Sequence, residues 1–305
     1  MADDRSISPR RRSIALPGRG SGTMAFLDFG DPRRPVDAVF AHANGFNART
    51  YRQVLGPLAS HFRILAVDQR GHGSTSLETN LTDQRNWLDL RDDLLAFLAV
   101  LDLKGVVLSG HSMGATACLL AAAADTPTCR RLVLCDPVIL PPDHFETPPT
   151  SPIVQSAGRR RAVFPSRAEA LESYKGRGAF KTWPEAMLVD YVQDGFRDLP
   201  SGEVTLACAP GWEASGFAAH GHDSWRALRN TVCPIEILRA EVASTFNLGG
   251  VDTLDPTRIR IETLPGSTHF LPMEAPERIR SALSAAILAD ASAETRASSL
   301  ASLAP

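Results

Sequence analysis

Ser112 stands between two glycines in Gly110-His111-Ser112-Met113-Gly114, directly after the apolar run Val106-Val107-Leu108 and directly before Ala115-Thr116-Ala117-Cys118-Leu119-Leu120-Ala121. A serine in that setting sits on a sharp strand-to-helix turn, where its hydroxyl stands clear of the sheet and the flanking glycines remove Cβ atoms that would collide. This is the geometry of a nucleophile elbow. A GxSxG sequence alone is a weak signal, and the bland alternative is a glycine-bounded turn with a structural serine. Here the β-branched run before it and the helix-forming run after it supply the context the motif needs. A serine hydroxyl is a weak nucleophile at neutral pH, so it needs an imidazole to take its proton and an acid to fix that imidazole's tautomer and stabilise its charge.

The elements that must hold such a group are legible as alternating short β-like runs and longer helical patterns, the signature of an α/β fold with a largely parallel sheet covered by helices on both faces. Strands are expected at 13–16, 23–29, 36–41, 63–67, 105–109, 131–135, 235–239 and 258–264, eight in all. Apolar residues at Trp87, Leu90, Leu94, Leu95, Leu98 and Leu101 mark an amphipathic helix over 86–101. The alternation breaks after Asp136-Pro137, where the chain runs through Pro141-Pro142 and Pro148-Pro149 into helix-like pieces at 167–174 and 184–196 with little strand signal. Residues 139–230 therefore read as a mainly helical cap inserted after the sixth strand, over the strand ends where an open α/β sheet binds ligands. Residues 1–138 and 231–305 form the core, with 1–11 and 291–305 expected to be disordered. Trp183, Trp212 and Trp225 fall in the cap with seven Phe and Tyr residues; most should hold the cap together, and one or two should line an apolar pocket.

Position separates the eight histidines. His269 follows the last expected strand in a Gly/Ser/Thr-rich loop just before a terminal helix. His111, within the elbow, should point away from the line of attack and serve packing. His61 and His144 carry no motif. His220 and His222, beside Asp223, have HxH spacing without a further ligand pattern, which reads as a solvent-facing cap loop and not as a metal site.

Taken together, Phe40-Ala41-His42-Ala43-Asn44-Gly45-Phe46, Asp68-Gln69-Arg70-Gly71-His72-Gly73, the GHSMG elbow, Asp136-Pro137 and Gly266-Ser267-Thr268-His269-Phe270 with Glu274-Ala275-Pro276-Glu277 resemble a capped member of the α/β-hydrolase superfamily over nearly the whole chain. The resemblance implies an α/β-hydrolase fold, Ser112 as nucleophile and His269 as base. It also implies an acid between them in the sequence. Many members carry an aspartate after the strand that here reads Ile235-Glu236-Ile237-Leu238-Arg239, but this chain continues Ala240-Glu241-Val242-Ala243-Ser244. Other members take the acid from the end of the strand after the elbow helix, which points to Asp136, with Glu241 as the alternative. The oxyanion donors are expected at the backbone amide of Met113, after the nucleophile, and, by resemblance, at that of Asn44. Ala43 stands where the family usually has glycine. Asn44 and Phe46 should also touch substrate, while His42 and the turn 68–73 are structural. A serine nucleophile sets the chain apart from the dehalogenase and epoxide-hydrolase branches, which use aspartate there.

The implied activity is hydrolysis of a carboxylic ester or lactone of a small, largely apolar molecule through an acyl-enzyme, with no metal or organic cofactor. Carbon–carbon bond hydrolases, thioesterases and perhydrolases share the fold. A non-catalytic small-molecule receptor is the reading of another class. A chain of 305 residues, 44% hydrophobic, can build a sizeable core, and its net charge of −2 supplies no reason to expect a nucleic-acid or membrane partner. No apolar run reaches the roughly 20 residues of a membrane span, and the arginine-bearing N-terminus lacks a signal-peptide core, so a cytoplasmic location is expected. Five scattered cysteines read as reduced, buried hydrophobes, and the runs 10–12 and 159–161 of arginine as solvated surface.

Overall fold

The computed structural model describes residues 8–81, 86–140, 150–219 and 221–289. In chain order the strands are β1 Arg10–Ile14, β2 Met24–Phe29, β3 Ala38–Ala41, β4 Ile64–Val67, β5 Val106–His111, β6 Cys129–Cys135, β7 Val163–Phe164, β8 Phe196–Asp198, β9 Val204–Leu206, β10 Ile235–Ala240 and β11 Ile259–Leu264. Eight of them form one sheet in the order β1-β2-β4-β3-β5-β6-β10-β11, antiparallel at β1–β2 and β2–β4 and parallel from β4 onward. The chain turns back on itself between β3 and β5, so the loops after these two strands diverge and leave a crevice at their C-terminal ends.

Period-two alternation divides the strand side chains between two cores. Val39, Leu65, Val67, Leu108 and Leu132 face one way, with α2 (Leu88–Val100), α3 (Met113–Ala124) and α8 (Ser224–Asn230); Phe40, Ile64, Ala66, Val107 and Val133 face the other, with α1 (Arg52–Leu55) and α10 (Pro276–Leu288). α3 is buried nearly all round because it lies between the sheet and the helices α2 and α8, which explains its small, alanine-rich sequence. The remaining helices are α4 Pro152–Gly158, α5 Arg167–Tyr174, α6 Glu185–Gly195, α7 Pro210–Ala218 and the short α9 Leu271–Glu274.

Four expectations need correction. β1 begins at Arg10, inside the arm 1–11 expected to be disordered. Its arginines lie on an exposed edge and reach acidic partners, Arg10 to the buried Asp28 and Arg11 to Asp68 and Asp194, so a strand with little apolar content is still fastened. The block after β6 contains a three-stranded sheet, β7-β9-β8, whose two- and three-residue strands are too short to show a period. α8 belongs to the core side of the boundary drawn at residue 230, since Trp225 and Leu228 pack in the cluster that contains α3. His222 is buried with its ring stacked on Trp87 at 4.7 Å, and does not face solvent. The five cysteines are buried and unpaired. Residues 1–7 and 290–305, together with His144, His220 and the two proline pairs, lie outside the described residues. Among the described residues no helix is long and apolar enough to cross a membrane.

Candidate active site

Ser112 falls between the last residue of β5 and the first of α3 with φ +55° and ψ −121°, a conformation that costs a non-glycine residue on the order of 1–3 kcal/mol and persists only when its surroundings enforce it. They do so here. Its amide donates to the Cys135 carbonyl at 3.0 Å and its carbonyl accepts from Thr116 N–H at 3.0 Å. A Cβ on Gly114 would strike the Ala41 and His42 carbonyls, and one on Gly110 the backbone of α3, so both glycines are required by close approach of the helix to β3 and β5.

His269 follows β11 and brings Nε2 to 3.0 Å from Ser112 Oγ and Nδ1 to 2.6 Å from Asp136 Oδ2. Asp136 lies at the end of β6 with φ +42° and is fully buried. Burial alone would raise its carboxyl. The His269 hydrogen bond and charge, with the Ser244 hydroxyl and Ala240 amide, outweigh burial and hold it below its ordinary value. Oδ1 accepts from Ala240 N–H at 2.9 Å and from Ser244 Oγ at 2.5 Å, and Oδ2 accepts from Thr245 N–H at 3.0 Å. Such a carboxylate fixes His269 with its proton on Nδ1, leaving Nε2 free to accept from the serine hydroxyl. Glu241, the alternative acid, is exposed and accepts from Gly266 N–H at 2.8 Å; His269 Nδ1 is already engaged by Asp136.

The oxyanion side is open. Among the described residues neither the Met113 nor the Asn44 backbone amide has a protein acceptor, and both residues line the same cavity as Ser112. The Asn44 side chain is committed elsewhere, its Nδ2 donating to the Glu213 carbonyl of α7 at 2.9 Å. Below this loop His42 Nε2 accepts from Gln69 N–H and His72 Nε2 accepts from Gly45 N–H, which leaves each ring to donate from Nδ1 to a backbone carbonyl. Both are neutral struts. Burial pushes His42 down to about 4 and His72 down to about 3.

His111 does more than pack. The Ala43 amide can only donate, so Tyr51 oxygen accepts it at 3.1 Å and its own O–H must go to His111 Nδ1 at 2.8 Å. His111 therefore carries its proton on Nε2 and donates to the His269 carbonyl at 2.7 Å. One buried chain thus ties the loop that contains Asn44 to the backbone of His269. Burial pushes His111 down to about 3, so the chain keeps this polarity at neutral pH.

A cavity of about 590 Å³ opens over Ser112 between core and cap. Phe46, Phe270 and Trp87 line it from the core, and four cap aromatics, Tyr174, Phe180, Tyr191 and Phe217, line it from above, more than the one or two expected. Arg160 corrects the expectation that the run 159–161 is solvated surface, since its guanidinium reaches into the cavity wall and donates to Glu213 Oε2 at 2.6 Å and Tyr191 OH at 2.9 Å. Among the described residues no cluster of His, Cys, Asp and Glu is arranged to hold a metal ion.

Ser112, His269 and Asp136 are thus brought into contact, with Met113, Asn44 and Phe46 around the same cavity and Glu241 outside it. Tyr51, Ser244, Thr245 and Arg160 went unrecognised in the sequence. A signal existed for two of them: Ser244 and Thr245 follow directly in the loop where an aspartate was sought and not found, and hydroxyl donors there suit a carboxylate arriving from the neighbouring strand. The arrangement can deprotonate a serine, stabilise the resulting imidazolium and offer two amides to an oxyanion.

Residues 38–282 match the alpha/beta hydrolase family. The chain is 25% identical over 291 residues to 2-(acetamidomethylene)succinate hydrolase of Mesorhizobium japonicum, covering 91% of this chain and 94% of the relative. A crystal structure of E-2-(acetamidomethylene)succinate hydrolase superposes with a TM-score of 0.74 at 22% identity, over 92% of this chain and 99% of that one. A shorter match, 36% identical over 119 residues, relates 38% of this chain to 42% of N-formylmaleamate deformylase of Pseudomonas putida.

Proposed function

The chain belongs to the alpha/beta hydrolase family, and from that premise we propose that it is a serine hydrolase that cleaves an acyl–heteroatom bond of a small molecule through an acyl-enzyme. The observation that carries this reading is the contact chain from Ser112 Oγ through His269 to Asp136. Ser112 Oγ attacks the acyl carbon while its proton passes to His269 Nε2, and the charge that develops on the carbonyl oxygen is met by the Met113 and Asn44 amides. His269 then returns the proton to the leaving oxygen or nitrogen as the bond to it breaks. A water molecule, deprotonated by the same nitrogen, attacks the acyl-enzyme and releases Ser112 with the acid product.

The aromatic cavity supports an ester or lactone with an apolar body. A second reading is an N-acyl amide, favoured by the relatives, whose names specify an acetamidomethylene and an N-formyl substrate. A fluorophosphonate probe tests the common step: wild type should be labelled and Ser112→Ala should not, while absence of labelling in folded wild type rejects the nucleophile and leaves a receptor. Matched esters and N-acyl amides of one acyl group then separate the two bond types by their kcat/KM ratio.

A further inference from the structure

We propose that the cap end of the cavity is an anion subsite, formed by Arg177 with Arg160, and that the substrate carries a free carboxylate remote from the bond that is cleaved. This rests on the hydrolase reading for its orientation, with the acyl carbon at Ser112 and the carboxylate under the cap.

The described lining is dominated by apolar and aromatic side chains, and its permanently charged groups are few: the guanidinium groups of Arg160 and Arg177 and the carboxylate of Glu213. Glu213 is matched to Arg160 at 2.6 Å, and the other terminal nitrogen of Arg160 donates to Tyr191 OH at 2.9 Å and Tyr174 OH at 3.3 Å. These three partners hold the Arg160 plane fixed. Arg177 differs. Its backbone amide is tied to the Tyr174 carbonyl at 3.0 Å, which places it on the turn just after α5, but its guanidinium has no acceptor among the described residues. Among the described lining residues two guanidinium groups thus face one carboxylate, and one positive charge is left over.

Chemistry favours an oxyanion as the missing partner. A guanidinium offers parallel N–H donors that match both oxygens of a carboxylate, and next to apolar walls the pair is screened less than in open water. The described lining residues supplied by the core carry no guanidinium or ammonium group, and Asp136 behind His269 is anionic, so an acidic substrate would gain by turning its carboxylate toward the cap. The aromatic rings between the two ends would enclose the carbon skeleton. The substrate class is thus a small acyl derivative with a distal carboxylate.

The test compares the mono-p-nitrophenyl ester of glutaric acid with p-nitrophenyl pentanoate, which share a five-carbon acyl chain and differ in ending as carboxylate or methyl. Wild type should favour the hemiglutarate in kcat/KM by at least about tenfold, the lower end of what a charge-assisted hydrogen bond supplies. Arg177→Gln, at an exposed turn, should collapse that ratio toward one by raising KM for the hemiglutarate, whereas Arg159→Gln should preserve it. A wild type that prefers the pentanoate, or a ratio unmoved in Arg177→Gln, overturns the proposal. Free glutarate supplies a readout independent of turnover: it should raise the melting temperature of wild type and of Ser112→Ala, and not that of Arg177→Gln. If no ester is cleaved and Ser112 is not labelled, the hydrolase reading falls, and glutarate binding by wild type but not Arg177→Gln still upholds the subsite, while no binding by wild type overturns it.

Discussion

Asp136 reaches His269 because β6 and β10 are neighbours in register, with Cys135 beside Leu238, so a carboxylate leaving the end of either strand arrives at one place. The two positions in which the family carries its acid are thus two routes to a single site, and the loop after β10, lacking an aspartate, contributes donors to Asp136 through Ser244 and Thr245. Replacing Asp136 with alanine should lower kcat by roughly 10³- to 10⁴-fold, as loss of an orienting acid does in serine hydrolases generally, while Glu241→Ala should stay within a few-fold of wild type. Steady-state kinetics on one ester decides this, and a reversed order transfers the role to Glu241. Tyr51 offers a second check. Tyr51→Phe strands the Ala43 amide and His111 Nδ1 in a buried site, which should cost about 1–3 kcal/mol in urea denaturation and lower kcat more than it raises KM, because Ala43 adjoins Asn44, the proposed oxyanion donor. Ser112 and His269 were legible from local sequence because an elbow and a loop at the end of the last strand have local signatures. Tyr51 and His111 were not, since their roles depend on hydrogen-bond directions across 60 residues of chain.

At the scale of elements, seven of the eight core strands, β2 to β6, β10 and β11, and α2 were legible from periodicity, whereas β1 begins three residues before the segment expected; α5 and α6 lie within a residue of the segments expected. The misplaced boundary at α8 has a physical origin: a seven-residue helix that buries Trp225 and Leu228 has the same local pattern whether it packs on cap or core. Helix α7 shows how the cap is held. Trp212 Nε1 donates to the Arg70 carbonyl at 3.1 Å, and its indole lies against Gly71, where φ is +76° and a Cβ would run into the ring. The turn 68–73, read from sequence as structural, is therefore also the seat of the cap. Gly71→Ala combines a disfavoured backbone with a clash against a buried ring, and should destabilise by on the order of 3 kcal/mol. It should also raise KM, because α7 supplies the carbonyl that holds Asn44 and the carboxylate that holds Arg160. Urea denaturation and KM measured on the same preparation test both effects; a destabilised variant with unchanged KM separates the seat of α7 from the pocket.

For the whole molecule, the buried histidines set how stability depends on pH. His42, His72 and His111 are held neutral because burial disfavours their charged forms, and each uses an unprotonated ring nitrogen as an acceptor. In the unfolded chain each titrates near pH 6.5. Their folded values lie at about 4, 3 and 3, so between those limits the unfolded chain binds more protons than the fold, and stability falls as pH falls. Each contributes a slope of up to about 1.4 kcal/mol per pH unit, so three together can remove much of the 5–15 kcal/mol typical of a domain within two or three units. Asp136, whose carboxyl is held low, adds to the loss as pH falls through about 4, the ordinary value at which its unfolded counterpart is half protonated. Asp68, Asp194 and Glu213 act in the opposite sense, since burial raises all three, and they soften the decline near their own titration. The urea midpoint should therefore drop steeply from pH 7 to pH 5, above the ordinary range of carboxylates, with proton uptake on unfolding at pH 5 dominated by roughly three histidines. A midpoint that is flat or rises over that interval would mean that the three rings are not buried as neutral acceptors. Because His72 holds Gly45 and His111 leads through Tyr51 to Ala43, and both rings resist protonation in the fold down to about 3, the loop that carries Asn44 keeps these hydrogen bonds through the interval in which stability declines.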